Sequence, residues 1–161
     1  MNPYKEMLES LAPEVSIGYE TIRMYKGPEL ESAQVGYAVT PAGESLTGDG
    51  DGDWLSKWLV IGYEELCGDP IFIDTSCEEF PVYTAMHGEG RWDAKPIAVS
   101  LAAFGKSLSA IAQVAKGRAH PKDLEQNPLT SSEKQEAITA IRRENPGIDL
   151  VFLGKHSELG Y

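Results

Sequence analysis

Hydrophobic positions change period along the chain, and each change predicts an element. Val15, Ile17 and Tyr19 alternate with polar or glycine positions, and Val35, Tyr37 and Val39 alternate with Gly36 and Ala38. A period of two puts one set of side chains on one face of an extended chain, so each run predicts a half-buried strand. In the centre, Trp58 to Tyr63 and Ile71 to Ile73 are apolar at consecutive positions. Such strands are covered on both faces, which predicts places in the middle of a sheet. Pro81 to Met86 sends Val82, Thr84 and Met86 to one face and Tyr83 and Ala85 to the other. The separators Cys67-Gly68-Asp69-Pro70, Asp74-Thr75-Ser76 and His87-Gly88-Glu89-Gly90 are short and carry turn chemistry. A parallel crossover needs about a dozen residues, so the spacing predicts an antiparallel meander.

After Ile97-Ala98-Val99 the period lengthens. Leu101, Phe104, Leu108, Ile111 and Ala115 share one helical stripe, with Ser100 as N-cap and Gly117 as stop. Thr130 and Glu133 have the spacing of a capping box, and Ala137, Ile138 and Ile141 follow on one side of a second helix ending near Asn145-Pro146-Gly147. Asn2-Pro3 with Met7, Leu8 and Leu11 predicts a short helix over 3–12, ended before Pro13. Leu150 to Leu153 reads as a short last strand, Thr40 to Asp53 as a polar loop or hairpin tip, and 118–129 as a connection. The expected fold is α+β, a central, mostly antiparallel sheet packed against helices, in a single domain over 1–161.

Composition supports one self-sufficient domain. The chain has 161 residues, 42% hydrophobic and 24% charged, and at this size about two thirds of the extended chain's surface is buried on folding. Charge narrows the partners: 14 Lys+Arg against 25 Asp+Glu give a formal charge of -11. Such a balance repels phosphate, which argues against direct nucleic-acid binding or an anionic membrane surface and for a basic protein partner. The excess is uneven. Residues 1 to 100 hold 18 acids and 6 bases, net -12, whereas residues 101 to 161 hold 7 acids and 8 bases, net +1. With no long apolar run and no basic-then-apolar opening, a cytoplasmic protein is expected. Cys67 and Cys77 form no C-x-x-C motif and are expected to be free thiols packing as small hydrophobes.

The sharpest local feature is Asp49-Gly50-Asp51-Gly52-Asp53. A helix-flanked calcium loop would want Gly and Glu where Trp54 and Val60 stand, so a solvated acidic turn is the expectation. Cys67, Cys77, His87, His120 and His156 are widely and irregularly spaced, so no metal is expected. No nucleophile elbow or phosphate-binding loop occurs, and no catalytic residue or cofactor is assigned. Glu64-Glu65 and Glu78-Glu79 read as surface charge. Trp58 and Phe72 lie inside apolar runs and read as core. Trp54, beside the acidic loop, and Trp92, in a Gly- and charge-rich turn, have packing as their default role. Left exposed, they would make a recognition patch for a basic, partly apolar partner. Asp49, Asp51, Asp53, Trp54, Glu78, Glu79 and Trp92 are therefore the partner-binding candidates.

The order of the central pieces, WLVIG, CGDPIFID, FPVYTAMHGEGRW and PIAVSLAAF running into a helix, resembles the SUKH superfamily of bacterial toxin-immunity proteins and fungal cell-wall-synthesis regulators. The likeness is clearest over 54–117, at Gly68-Asp69, Ile71-Phe72, Pro81-Val82-Tyr83 and Ser100 to Phe104, and residues 13 to 53 do not reproduce the family's usual opening. It implies a sheet backed by helices and a non-catalytic binding domain, often one that neutralises a cognate toxin by direct binding. Asp69 then reads as a turn former whose carboxylate bonds nearby backbone NH groups. The alternative is a housekeeping peptide- or small-molecule-binding module, or a minor hydrolase, with a pocket near Tyr83, His87 and Trp92. The oligomeric state is not legible in the sequence.

Overall fold

The computed structural model describes residues 2–160. Six strands form one fully antiparallel sheet whose spatial order follows the chain: β1 (Glu14–Ile17), β2 (Glu20–Met24), β3 (Trp58–Glu64), β4 (Pro70–Asp74), β5 (Val82–Thr84) and β6 (Lys95–Ala98). The helices are α1 (Pro3–Ser10), α2 (Gly27–Leu30), α3 (Leu101–Ala115), α4 (Pro121–Gln126), α5 (Ser131–Glu144) and α6 (Val151–Lys155). This is an α+β fold, and the meander expected from the short turns is the observed topology.

Both faces of the central strands are covered, by different material. Leu59, Ile61, Ile71, Ile73, Val82 and Ile97 face the helices and pack with Leu101, Phe104, Leu108, Ile111 and Ile141. The alternate residues Trp58, Val60, Phe72 and Tyr83 face the other way and pack with Trp54, Tyr37 and Trp92 from the loops. The strand alternation thus sorts the apolar side chains into an aliphatic core under α3 and α5 and an aromatic layer under residues 35–54 and 85–94. A bulge between Val60 and Gly62 resets β3 against β4. Gly62 is needed there: a Cβ would lie 2.3 Å from the Arg23 carbonyl oxygen.

The two long helices start as their sequences direct. The Ser100 hydroxyl accepts the Ala103 NH at 3.0 Å. At α5, the Thr130 hydroxyl and the Glu133 carboxylate cap one another's backbone NH groups at 3.1 and 2.9 Å. Asn145, fully buried at the end of α5, bolts three elements together. Its amide oxygen accepts the Val99 NH at 3.0 Å, and its nitrogen donates to the Ser107 hydroxyl at 2.9 Å and the Ile141 carbonyl at 3.0 Å.

Several expectations need correction. Residues 20–24 are a strand that the sequence reading passed over, and the chain turns sharply at Gly18 (φ 61°) and exposed Tyr19 to reach it. Residues 35–39 are not a strand, because Gly36 adopts φ 92° and breaks the extension; the segment instead delivers the Tyr37 ring to the aromatic layer. The tail is the helix α6 rather than a strand, started by the Asp149 carboxylate accepting the Val151 NH at 3.0 Å. Pro121 opens α4 inside the expected connection. Cys67 and Cys77 are both exposed, so neither packs as core.

Asp74 is a buried carboxylate at the end of β4. Burial alone would push it up. The Lys57 ammonium at 2.9 Å and the Ser76 hydroxyl and NH at 2.6 and 2.9 Å outweigh that and hold it below the ordinary carboxylate value. A depressed folded-state value contributes stability above the unfolded value, near 3.9, and loses it as pH falls through the folded one. Urea midpoints measured below about pH 4 should therefore fall with pH, and Asp74→Asn should flatten that decline. An unchanged acid slope in the variant would show that Asp74 does not contribute to it.

Candidate functional site

The expected partner-binding residues do not form one patch. The β4–β5 turn carries Glu78 and Glu79, both exposed, at one end of the strands. Residues 85–94, which carry Trp92, connect β5 to β6 at the other end and fold against the Asp49–Asp53 loop, the Trp92 NH donating to the Gly52 carbonyl at 2.8 Å. The second group holds the densest exposed charge. Asp49, Asp51, Asp53, Glu89 and Asp93 are all exposed around half-buried Trp92.

Within that group the carboxylates differ. Asp53 folds back on its own loop and accepts the Gly50 NH at 2.9 Å, and a Cβ on Gly48 would lie 2.2 Å from its Oδ2. Asp51 meets the Arg91 guanidinium at 3.1 Å but remains solvated. Asp49 makes no hydrogen bond or ion pair among the described residues. All three carboxylates of the loop are exposed, and Asp53 alone among them accepts a backbone NH of the loop.

Trp54 corrects an expectation. It is 1% exposed and sits among Phe72, Tyr37, Trp58 and Trp92 at ring-centroid distances of 4.6 to 5.3 Å. Its ring is a packing element, closed to any partner on this surface. Its Nε1 is the one buried side-chain polar atom without a hydrogen-bond partner among the described residues. Trp58, expected in the core, is half-buried at the edge of the same layer.

Around the alternative site, Tyr83 stacks on Phe72 at 5.9 Å, and burial, with the Asp74 charge nearby, pushes its phenol up. Burial likewise raises the Tyr37 phenol, and the Asp69 carboxylate adds to it. Both hydroxyls therefore stay protonated at neutral pH. His87 is exposed, and one oxygen of Asp69 accepts its backbone NH at 3.0 Å and lies 2.8 Å from its Nδ1. Asp69 thus ties the β3–β4 turn to the β5–β6 loop, across 18 residues, instead of capping its own turn. No hydroxyl or thiol hydrogen bonds to the His87 ring among the described residues. Surface clefts of about 530 Å³ between α1, α3 and α5 and about 800 Å³ beside Tyr25 and Tyr63 lie elsewhere, and neither is lined by Tyr83, His87 or Trp92.

The turn-capping role belongs to Glu64, which adjacency to Glu65 had suggested was surface charge. It is 1% exposed, and its carboxylate accepts the Cys67 NH at 2.9 Å and the Asp69 NH at 3.0 Å. Glu65 is exposed and meets Arg23 at 3.4 Å. Glu20, at the start of β2, and His156, at the end of α6, join Glu64 in the interior; His156 Nδ1 lies 2.8 Å from Glu20 Oε2 and 3.6 Å from Glu64 Oε2. Of these, the sequence names His156 only among widely spaced candidate ligands and Glu64 only as surface charge, and it gives no sign of Glu20. A search for cysteine and histidine arms cannot find them, because glutamates supply two of the three groups and Glu20 and His156 stand 136 residues apart.

The fold and this surface define an α+β domain with an antiparallel meander, helices on one face and a loop-covered aromatic layer on the other. Among the described residues, no helix is long and apolar enough to cross a membrane. Comparison with protein-family models, curated proteins and solved structures returned no match.

Proposed function

We propose that this chain is a non-catalytic protein-binding domain, of the SUKH type its central segment resembles, that acts as a cytoplasmic immunity protein by binding a basic toxin. The observation that carries the binding reading is the surface around Trp92. Exposed Asp49, Asp51, Glu89 and Asp93 surround a half-buried indole there, on loops held against the sheet face. An aromatic anchor among four exposed carboxylates, only two of which meet a cation (Asp51 with Arg91, Asp93 with Lys95), suits a partner with a basic, partly apolar surface, such as a nuclease built to hold phosphate. The alternative draws less support, because His87 lies exposed and the two main clefts are not lined by Tyr83, His87 or Trp92.

The test begins with co-purification of the tagged protein from its own cells and identification of what elutes by mass spectrometry. With the purified partner, association at low salt should be fast and should slow at least tenfold on raising salt well above the physiological range, since steering charges act on the on-rate. Combined Asp49→Asn, Asp51→Asn, Glu89→Asn and Asp93→Asn substitutions should reproduce most of that slowing with little change in melting temperature. A basic partner carrying an enzymatic domain inhibited by this chain would meet the proposal in full. Binding indifferent to both salt and the four substitutions would overturn the electrostatic site.

A further inference from the structure

The triad of Glu20, Glu64 and His156 is the most concentrated chemistry in the molecule. We propose that it is a binding site for one divalent transition-metal ion of the zinc class, clasping the C-terminal segment to the end of the sheet.

The geometry is the first support. Glu20 Oε2, Glu64 Oε2 and His156 Nδ1 all lie within 4.8 Å of one another, with 2.8 and 3.6 Å between the imidazole nitrogen and the two oxygens. Donors held about 2.0–2.2 Å from a tetrahedral zinc ion stand roughly 3.3 Å apart; the 2.8 and 3.6 Å distances from the imidazole nitrogen bracket that value, and rotation of the carboxylates within the 4.8 Å cluster would complete three corners of such a site. The fourth is left to water. A set of one imidazole nitrogen and two carboxylate oxygens suits zinc and its neighbours better than magnesium or calcium, which favour oxygen alone.

Charge is the second support. The three residues are 8%, 1% and 6% exposed, and neither carboxylate meets a lysine or arginine among the described residues; the one basic side chain beside them is His156. Buried carboxylates are costly unless paired or coordinated. A divalent ion at this position would offset both charges.

The surroundings also orient the donors. NH groups of Cys67 and Asp69 hold Glu64 Oε1, the Cys67 NH also reaches Oε2 at 3.1 Å, and the Phe152 ring packs on the His156 imidazole at 4.7 Å, so the carboxylate and the ring are both fixed in orientation. Outer contacts of this kind fix ligand orientation in metal sites. The donors come from the start of β2, the end of β3 and the end of α6, so an ion would join the tail to two strands.

The test uses the full chain without a histidine tag, stripped with a chelator and titrated with Zn2+ against a chromophoric competitor. We expect one equivalent bound at sub-micromolar affinity, visible absorption bands of four-coordinate geometry for the Co2+ form, and slower amide hydrogen exchange over residues 150–160 when Zn2+ is present. Glu20→Gln and His156→Gln should each weaken Zn2+ binding more than ~100-fold, beyond the 10–100-fold of an outer-contact loss. Glu64 is left intact because it also caps the β3–β4 turn. The proposal is overturned if the wild-type chain takes up no Zn2+ at millimolar concentration. It is equally overturned if both folded variants bind Zn2+ as the wild type does.

Discussion

Trp54→Ala should lower the unfolding free energy by about 3–5 kcal/mol, the range for truncating a large buried aromatic. The indole is 1% exposed and touches four other rings, so its removal leaves a cavity bounded by Tyr37, Trp58, Phe72 and Trp92. These neighbours come from the loops as well as from β3 and β4, which limits collapse around the void. Trp54→Phe should cost far less, about 1 kcal/mol or under, because the lost volume is partly offset by removing a buried donor with no partner, itself a cost of about 1–3 kcal/mol. Urea unfolding followed by circular dichroism distinguishes the two variants. If Trp54→Ala cost less than ~1 kcal/mol, the loop over 35–54 would not be packed on the sheet face. If the proposed binding surface around Trp92 is used, Trp54→Phe should leave partner binding as in the wild type, whereas Trp92→Ala should weaken it.

The second large effect is expected at Arg118, which is 6% exposed beyond the end of α3. Its guanidinium donates to the Asn127 carbonyl at 2.7 Å, the Val114 carbonyl at 2.9 Å and the Glu133 carboxylate at 3.0 Å, so one side chain gathers the end of α3, the connection after α4 and the capping box of α5. Arg118→Ala should cost about 3 kcal/mol, the low end for breaking a buried charged network, because Glu133 remains partly solvated. Arg118→Lys keeps the charge but loses the planar fork, and should recover no more than about half of that. Full recovery by lysine, measured by the same unfolding assay, would show that charge and not the multidentate geometry holds the junction. Glu133, held below its ordinary value first by the Thr130 NH and then by Arg118 despite an opposing desolvation effect, should add to the loss of stability in acid.

Much of the architecture is legible in the periodicity. Ile71, Phe72 and Ile73 are apolar in succession because both faces of β4 are buried, and the stripe from Leu101 to Ala115 is apolar because one side of α3 lies on the sheet. The turn residues between β3 and β6 leave no length for a crossover, which is why the meander could be read. Local pattern misled where one residue outweighed its neighbours: Gly36 with its positive φ at 35–39, and the Asp149 cap at the tail.

The candidate surface was legible only as composition. Clustered carboxylates and a nearby tryptophan mark Asp49 to Trp54, but which side chain turns in depends on the opposite strand face, and there Phe72 and Trp92 claim the Trp54 ring. Spacing within the chain says nothing of this, because the contacts join separate loops.

The sequence alone determines an acidic chain with its charge excess in the first hundred residues, an α+β order of elements and the two helix caps at Ser100 and Thr130. These follow from local interactions and from summed charge, which need no knowledge of neighbours in space. Only the tertiary structure decides that Glu64 is buried while Glu65 is exposed, that Trp54 faces inward, and that Glu20 and His156 meet across 136 residues. Those outcomes depend on which strand lies beside which and where the tail docks, and a carboxylate carries no local mark of whether it will end in water or against an imidazole.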